Sequence, residues 1–468
     1  MATVSQSEVV IAKPAQPHRR VVVPENRKSV GSAVNRLAWP VILENLFQTA
    51  LGTVDMIMVG SLGAAAIAGV GTANQIVFVV QASFSAITTG TTVLVARFIG
   101  ARQDDNANAV VKQSIVIGAI ISAVFALFGL GLSEWAIKVM GAEADVVHLG
   151  ATYLRIVTVA SVLMVYMFII SGALRGAGDT RTPMVVTGCI NAVNVVAAYV
   201  LIFGKLGFPA LGVAGAAWGA TIARAVGMSA LLAVLIRGKS AISINGRQGW
   251  LPDLHLIWRV LRLGVPSMLE QMAMSGGMLV YGIIAISLGT VVYATQRITF
   301  QALSLSWMPG FGFAMASTAM VGQCLGARRA DLGECSSEHA VRMAVVWMTV
   351  TGLLIAVFGK PVMRLFTSDP AMIAMGADAL KVIALSQPFM AIGMVLAGSL
   401  RGAGDTRFPM IATFLGVWLV RLPLGYLFGP VLGWGLSGVY ISNVIDAVAR
   451  AIANAVRWRT GRWRSITV

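Results

Sequence analysis

Hydrophobic residues of this chain lie in long stretches that short polar connections separate. Apolar stretches of roughly 18 or more residues are long enough to cross the hydrocarbon core of a bilayer as α-helices. A β-barrel would instead show segments of about ten alternating residues, whereas Ser114 to Leu132 contains no charged residue. The pattern therefore predicts an all-α membrane protein. Twelve transmembrane helices are predicted, at residues 37–61, 67–96, 111–132, 149–172, 183–203, 211–236, 263–288, 291–323, 339–359, 373–398, 409–429 and 436–457.

The chain contains an internal repeat with a displacement of 226 residues. The segments Gly172–Met184 and Gly398–Met410 share 11 of 13 residues, and Pro40 corresponds to Pro266. A repeat of this length indicates two whole lobes rather than the short units of a solenoid. Each copy holds six predicted spans, an even number, so both copies enter the membrane from the same side. We therefore predict two parallel six-helix repeats around a central cleft.

The polar segments outside the spans divide the chain into its predicted parts. Residues before Arg36 are basic and contain proline but no apolar core, which predicts a disordered segment. The predicted parts are a disordered cytoplasmic tail at 1–36, an N-lobe at 37–236, a cytoplasmic linker at 237–262, a C-lobe at 263–457 and a cytoplasmic C-terminal tail at 458–468.

Composition and charge place this helical bundle in a membrane and orient it. The chain is 57 % hydrophobic and 12 % charged, whereas soluble proteins have about 25 % charged residues. Its net charge of +16 is concentrated in the two tails and in alternate connections, including the linker with Arg247. The other connections contain only Lys138, Lys205, Lys360 and Arg364. The positive-inside rule then predicts an inner plasma membrane protein with both termini in the cytoplasm. Because this rule explains the basic excess, we expect no nucleic-acid partner.

Apart from Asp378, near the start of the tenth span, four acidic residues fall inside predicted spans: Glu44, Asp55, Glu270 and Asp446. An unpaired ionised carboxylate in mid-bilayer costs at least about 2.5 kcal/mol, so each is a functional candidate. Loss of hydration favours the protonated form of a carboxyl group. Asp55 is therefore predicted to be the ion-coupling residue, binding either H⁺ or Na⁺. The alternative is a protonated carboxyl that hydrogen-bonds a neighbouring helix.

Other polar residues of the spans are candidates for a cavity that binds a cationic substrate. Glu44 and Glu270 occupy equivalent repeat positions, and either could attract cations or join helices through hydrogen bonds. The uncharged candidates carry the same two interpretations; they are Gln48, Asn74, Gln75, Asn191, Asn194 and Gln301. Asp446 precedes Arg450 by four residues, which predicts a structural ion pair on one helix face.

The duplicated Arg-Gly-x-Gly-Asp segment lacks the spacing of a phosphate-binding loop. We expect it to end a helix, with Asp179 and Asp405 capping the next one and Arg175 and Arg401 anchored at lipid headgroups. The three cysteines show no metal-binding or disulfide spacing, and the spans show no nucleophile or histidine pair. We therefore expect no metal centre, no cofactor and no enzymatic activity.

The repeated L-R-G-A-G-D-T-R-[TF]-P-M, the run T-V-D-M-I-M-V-G-S-L-G from Thr53 and the run V-A-R-F-I-G-A-R from Val95 resemble the multidrug and toxic compound extrusion (MATE) family. The resemblance covers about residues 36 to 458. It implies two six-helix lobes that open alternately to each side and export organic compounds in exchange for H⁺ or Na⁺, with Asp55 as the first-span aspartate. The chain departs from many members at Met274, where they carry a glutamate, and in the segment Phe389–Ala397 of its tenth span, which has no acidic residue.

Two transport functions fit these features. The first is a secondary exporter of amphipathic organic cations, monomeric and coupled to H⁺ or Na⁺. The second is a flippase or exporter of a lipid-linked or other anionic precursor, which would need a cationic cavity. Its candidate residues are Arg155, Arg224, Arg297, Lys381, Arg421 and Arg450.

Overall fold

The computed structural model describes residues 23–141, 143–238, 240–246 and 249–467, and every regular element in them is helical. Most of the predicted disordered tail, residues 1–22, and Arg247 of the linker lie outside the described residues. The α-helices are α1 Val30–Gly60, α2 Ala64–Gly100, α3 Asp104–Val139, α4 Ala144–Val159, α5 Ser161–Gly176, α6 Arg181–Phe203, α7 Val213–Ile236, α8 Leu254–Ser287, α9 Thr290–Gly326, α10 Ala330–Val357, α11 Gly359–Arg364, α12 Pro370–Ala384, α13 Gln387–Gly402, α14 Arg407–Phe414, α15 Leu422–Tyr426 and α16 Gly435–Arg459.

These helices form the predicted twelve spans. Eight stretches are long and apolar enough to cross a membrane singly: α2, α3, α6, α7, α8, α10, α16 and the stretch Arg407–Val431. The pairs α4/α5 and α12/α13 are bent by 52° and 51°, and each pair makes one further broken span. The remaining two are α1, with 31 residues, and α9, with 37 residues, which are long enough but contain proline and polar residues.

At two predicted boundaries the helices continue beyond the apolar stretches. Helix α1 begins at Val30, inside the predicted tail, and the side chains of Val30 and Val34 are buried against α9 and α10. Helix α8 begins at Leu254, inside the predicted linker, where the Asp253 carboxylate accepts hydrogen bonds from two backbone N–H groups. Hydropathy detects the membrane-embedded turns of a helix and misses polar turns that pack against protein.

The predicted C-terminal tail is also largely ordered in the described residues. Helix α16 extends to Arg459, and a 3₁₀ turn follows at Arg462–Ser465. Trp463 is fully buried and stacks on Trp458 with ring centroids 4.1 Å apart. An apolar indole that can cover another ring gains more by packing than by remaining in water, so this segment is part of the fold.

The eleventh span differs from its equivalent in the first repeat. Helix α6 is regular, whereas the stretch Arg407–Val431 contains π-helical turns at Leu415–Arg421 and Leu427–Val431. Pro423 and Pro430 lie in this stretch and lack the N–H group that a regular α-helix needs. Wider turns of this kind occur where the regular ladder of hydrogen bonds is interrupted, often near functional sites.

The two lobes, α1–α7 and α8–α16, meet near the face of the bundle where α1 begins and α16 ends, called here the basic face. Gly100 lies against the backbone of Gln323, and Gly326 lies against that of Arg97. A Cβ atom at either glycine would overlap a carbonyl oxygen of the other lobe. These two contacts are related by the 226-residue displacement, so the seam between the lobes has pseudo-twofold symmetry.

The duplicated segments end helices at this seam. Gly178 and Gly404 have φ angles of 87° and 91°, a left-handed conformation that favours glycine and stops each helix. Thr182 N–H donates to Asp179 at 3.1 Å, and Phe408 N–H donates to Asp405 at 3.4 Å, which confirms the predicted capping.

Each lobe also donates a hydrogen bond to the duplicated segment of the other. Gln323 Nε2 donates to the carbonyl of Gly176 at 2.8 Å, and Arg97 Nη2 donates to that of Ala403 at 3.0 Å. Arg97 Nη2 donates in addition to the carbonyl of Ile466 at 2.9 Å, which ties the C-terminal segment to the N-lobe. The segments found by repetition are therefore contacts between the lobes.

Candidate functional site

The buried glutamates of the first and seventh spans make the same contacts in both lobes. In the N-lobe, Arg175 Nη2 donates to Glu44 at 2.7 Å, and Thr187 Oγ1 lies 3.4 Å from the same carboxylate oxygen. The side chain of Glu44 is 3 % exposed. In this environment the arginine supplies the charge partner that a buried carboxylate requires.

The C-lobe repeats this arrangement with residues displaced by 226 positions. Arg401 Nη1 donates to Glu270 at 2.9 Å, and Thr413 Oγ1 donates to it at 3.2 Å. The prediction that Arg175 and Arg401 anchor at lipid headgroups is therefore wrong, because each guanidinium group binds a buried glutamate carboxylate instead. Both glutamates carry a neutralising partner, which favours their helix-joining interpretation in this conformation.

Asp55 lies in a different, asymmetric environment near the opposite face of the bundle. Its side chain is half-buried, and Asn194 Nδ2 donates to Asp55 Oδ1 at 2.8 Å. The Asn194 side chain is 1 % exposed, and its carbonyl oxygen Oδ1 has no hydrogen-bond partner. Asn194 therefore donates to the carboxylate while its own acceptor atom remains unpaired.

Three further side chains complete a group that we call the N-lobe polar cluster: Asp55, Asn74, Tyr153, Asn194 and Arg224. Tyr153 Oη donates to Asn74 Oδ1 at 3.4 Å. Arg224 interacts electrostatically with Asp55 and Tyr153 but lies beyond the 4.0 Å that defines an ion pair with Asp55. The cluster draws on five helices, α1, α2, α4, α6 and α7. It brings the predicted residues Asp55, Asn74 and Asn194 into one region.

The same region of the C-lobe contains a closed network of ion pairs. Asp446 is 0 % exposed and binds Arg421 at 2.5 Å and Arg450 at 2.9 Å. The predicted pair of Asp446 and Arg450 is thus confirmed. Tyr281, which stands at the repeat position of Asp55, donates to the carbonyl of Val439 at 2.7 Å. This lobe offers no half-buried carboxyl group comparable with Asp55 among its described residues.

The remaining predicted cavity residues are not all brought together. Asn191 Nδ2 donates to the carbonyl of Phe47 at 2.6 Å and so joins α6 to α1. Gln48, Gln75 and Gln301 are exposed side chains within the spans. Exposing an amide side chain to hydrocarbon is costly. These three glutamine side chains would therefore be more stable in a cleft between the lobes than in contact with lipid.

Sequence analysis missed the contacts of Arg224, Arg421 and Tyr153. A signal existed for the arginines, because each lies near the middle of a predicted span without an acidic residue on a preceding or following turn. Their partners come from other helices, which a single sequence does not pair. Met274, where the resemblance implies a glutamate, instead has its Sδ atom 3.9 Å from Arg450 Nη1.

The chemistry available to the N-lobe polar cluster is ion binding. It contains a single carboxylate, and among the described residues no group of three or more His, Cys, Asp and Glu could hold a metal ion. Oxygen atoms of Asn74, Tyr153 and Asn194 are nearby, so the cluster can hold a proton on Asp55 or a weakly bound monovalent cation.

Comparisons with known proteins identify relatives along nearly the whole chain. The family description MatE matches residues 40–200 and 266–427, one match in each lobe. The chain is 33 % identical to "Probable multidrug resistance protein NorM" of Thermotoga maritima, over 95 % of this chain and 95 % of that protein. It is 30 % identical to "Uncharacterized transporter YisQ" of Bacillus subtilis, over 91 % and 94 % of the two chains.

A solved structure shares the fold. It is described as the outward-facing conformation of a multidrug resistance MATE family transporter of the MOP superfamily. The TM-score is 0.87 at 24 % identity, covering 95 % of this chain and 100 % of the other. The overall fold of this chain is therefore that of a known transporter structure.

Proposed function

Because this chain belongs to the MATE family of multidrug efflux transporters, we propose that it exports amphipathic organic cations in exchange for entering protons. The observation that carries this proposal is the environment of Asp55, a half-buried carboxyl group bonded to Asn194 in one lobe only. Na⁺ in place of H⁺ is the alternative outcome that the experiment below distinguishes. The proposal places the protein in the inner membrane as a monomer, with both termini in the cytoplasm.

Asn194 suits a group that changes its protonation state. Its amide donates to the Asp55 carboxylate, and its carbonyl oxygen has no donor. After rotation of the amide by 180°, the same side chain would accept a hydrogen bond from a protonated Asp55, because an amide can act as donor or acceptor. Both the ionised and the protonated carboxyl group therefore have a partner.

Contact between the lobes near the basic face supports an alternating-access cycle. The seam formed by Gly100, Gly326 and their partners closes this face, so a cleft would open towards the opposite face. With the termini in the cytoplasm, as proposed, this arrangement would be the outward-open state from which substrate leaves and protons enter. Exposed amides of Gln48, Gln75 and Gln301 would then line the path of the substrate.

The energy of the ion gradient is sufficient without a nucleotide. An elementary charge that moves down about 100 mV releases about 2.3 kcal/mol, and one pH unit adds about 1.4 kcal/mol per proton. Export of a monovalent cation against the same potential costs about 2.3 kcal/mol, so one entering proton supports a gradient of only about tenfold, whereas two entering protons support more than several hundredfold. No resident cofactor is required by this proposal.

Export of an anionic precursor is less well supported by the side-chain contacts. Four of the six cationic residues that such a cavity would use, Arg155, Lys381, Arg421 and Arg450, are held by acidic partners. Arg421 and Arg450 bind Asp446, and Lys381 binds Asp378 at 2.8 Å. A pyrophosphate group would have to displace these carboxylates, whereas an organic cation requires no such rearrangement.

A vesicle assay tests the proposal. Purified protein is reconstituted with a fluorescent organic cation, and a pH gradient or a Na⁺ gradient is imposed separately. We expect the pH gradient to drive movement of the cation. Movement driven by a Na⁺ gradient alone would show that Na⁺, and not H⁺, is the coupling ion. Scrambling of a lipid-linked sugar without gradient-driven movement of the cation would overturn the proposed export function.

A further inference from the structure

The internal repeat places one arginine at the same position in each lobe with different partners. Arg450 of the C-lobe is held by Asp446 on its own helix, at 2.9 Å. Arg224 of the N-lobe is its repeat equivalent, and Ala220 stands where Asp446 would be. The Nη1 atom of Arg224 is buried and has no hydrogen-bond partner. A guanidinium that lacks its helical partner in the membrane interior needs another counter-charge.

Asp55 supplies that counter-charge across the N-lobe polar cluster. The two side chains interact electrostatically, although they lie beyond the 4.0 Å of an ion pair. Helix α7 carries Arg224, and helix α1 carries Asp55, so the interaction joins two helices that are distant in sequence. Comparison of the repeats accounts for this difference between the lobes. The N-lobe has Asp55 where the C-lobe has Tyr281, and it has Ala220 where the C-lobe has Asp446.

On the basis of the function proposed above, we propose that Arg224 is the fixed counter-charge of Asp55. While Asp55 is ionised, the pair is neutral and a cationic substrate can bind nearby. When Asp55 takes up a proton, the positive charge of Arg224 is no longer balanced, and the cation is repelled towards the exit. Arg224 acts through Asp55 and through the field at the cleft, so it is a positioning residue.

The other groups around Asp55 do not supply a charge. Asn194 on α6 and Asn74 on α2 are neutral amides, and Tyr153 on α4 is a phenol that donates to Asn74. Farther along α1, the carboxylate of Glu44 is already neutralised by Arg175. Arg224 is therefore the one cationic group of the cluster as described.

Removal of Arg224 has two expected consequences of known sign. A carboxylate without a neighbouring positive charge is harder to ionise, so Asp55 would keep its proton up to a higher pH. Once it has ionised, the site would carry an uncompensated negative charge and would hold organic cations more tightly. The variant would thus bind its substrate well at high pH and release it poorly.

The experiment measures binding of tetraphenylphosphonium to the purified full-length protein in nanodiscs between pH 5.5 and 9. For Arg224→Gln, the pH midpoint of binding should move upwards by about one unit, the lower end of the range of one to three units for nearby opposite charges, because Arg224 lies beyond ion-pair distance of Asp55. Affinity above both midpoints should rise roughly fivefold to tenfold. Arg224→Lys, which keeps the charge, should restore the wild-type midpoint.

A matched control removes a cation from the same lobe without touching the cluster. Arg155 forms an exposed pair with Glu134 at 3.5 Å, and Arg155→Gln should leave the midpoint unchanged. In the Asp55→Asn background, Arg224→Gln should produce no shift of a midpoint, because the titrating group is absent.

The outcomes separate this inference from the proposed function. A wild-type protein that binds tetraphenylphosphonium without a midpoint that depends on Asp55 would overturn the function itself. Wild-type binding that depends on Asp55, together with an unchanged midpoint in Arg224→Gln, would overturn the role of Arg224 alone. If Arg224→Gln fails to fold, Arg224→Met takes its place. A wild-type affinity and midpoint in Arg224→Met would refute the role of Arg224, whereas an upward shift of the midpoint would support it.

Discussion

The two lobes share one scaffold near the basic face and differ near the opposite face. On the shared side, Glu44 with Arg175 and Glu270 with Arg401 form ion pairs at 2.7 and 2.9 Å. On the other side, the C-lobe buries Asp446 between two arginines, whereas the N-lobe leaves Asp55 half-buried with an amide as its hydrogen-bond partner. The duplicated part holds the two lobes together, whereas the carboxyl group proposed to couple ions lies in the part that departs from duplication.

This difference separates stability from chemistry. A carboxylate bound by two guanidinium groups is held strongly in its ionised form. A carboxylate with one amide partner and a more distant arginine can gain or lose a proton at lower cost. Substitutions in the C-lobe network should therefore affect folding, and substitutions in the N-lobe polar cluster should affect transport.

The largest expected effect is on stability, for Asp446→Asn. Removing one partner from a buried ion pair costs about 3–5 kcal/mol, because the other charges remain buried without compensation. The free energy of unfolding, measured by denaturant titration in mixed micelles, should fall by about that amount. Asp331→Asn is the control, since Asp331 pairs with Arg329 in an exposed position and its loss should cost less than about 1 kcal/mol. Equal effects of the two substitutions would contradict the structural role of Asp446.

The next largest effect is on transport, for Asp55→Asn. An amide can hydrogen-bond with Asn194 but cannot exchange a proton, so gradient-driven export should fall at least about 100-fold in vesicles, as expected when a group essential to the driven step is lost. The free energy of unfolding should fall by less than the 3–5 kcal/mol expected for Asp446→Asn, because Asp55 is half-buried and Arg224 lies beyond ion-pair distance of it.

Wild-type rates of export in Asp55→Asn vesicles would show that the carboxyl group is not the coupling residue. A large loss of stability in this variant would remove the contrast with Asp446.

A pair of smaller effects tests the equivalence of the two lobes near the basic face. Glu44→Gln and Glu270→Gln each leave an arginine without its carboxylate while keeping the shape of the side chain. We expect each substitution to lower the free energy of unfolding by about 1–3 kcal/mol, with values that agree within about 1 kcal/mol. Neither should change the pH dependence of export. A change of that dependence in one variant only would show that the corresponding glutamate takes part in ion coupling.

The smallest effect concerns the seam between the lobes. Gln323→Ala removes one hydrogen bond across it, worth about 0.5–1.5 kcal/mol, and should raise the fraction of molecules open at the basic face by roughly threefold to tenfold. Spin labels at Asp105 and Asp331, exposed residues at equivalent repeat positions, would report this as a longer distance. Arg97→Ala should have a larger effect, because Arg97 donates to two carbonyl groups. Unchanged distances in both variants would exclude a role of these bonds in closure.

The sequence predicted the fold well because its signals are local or repetitive. Apolar stretches marked the twelve spans, and the 226-residue displacement related the lobes. The spacing of Asp446 and Arg450 predicted their ion pair, since both lie on one helix face. The predicted helix caps at Asp179 and Asp405 were found for the same reason.

Contacts between helices far apart in sequence could not be predicted in this way. Arg175 lies 131 residues after Glu44, and no periodicity connects them. The prediction that this arginine faces the headgroups was reasonable for a helix end but ignored the demand of a buried carboxylate. The contacts of Arg224 with the N-lobe polar cluster depend likewise on the folding of five helices together.

The reciprocal contacts between the lobes at the seam affect how well the transporter prevents ions from leaking. Position 97 of one lobe and position 323 of the other each bind the duplicated segment across the interface, and Gly100 and Gly326 bring both backbones into direct contact. Neither half of this arrangement can separate without carrying the other along, since both lie on the same two rigid helices, α2 and α9. We therefore expect this face to open cooperatively, which would disfavour partly open states through which protons could leak down their gradient without moving any cargo.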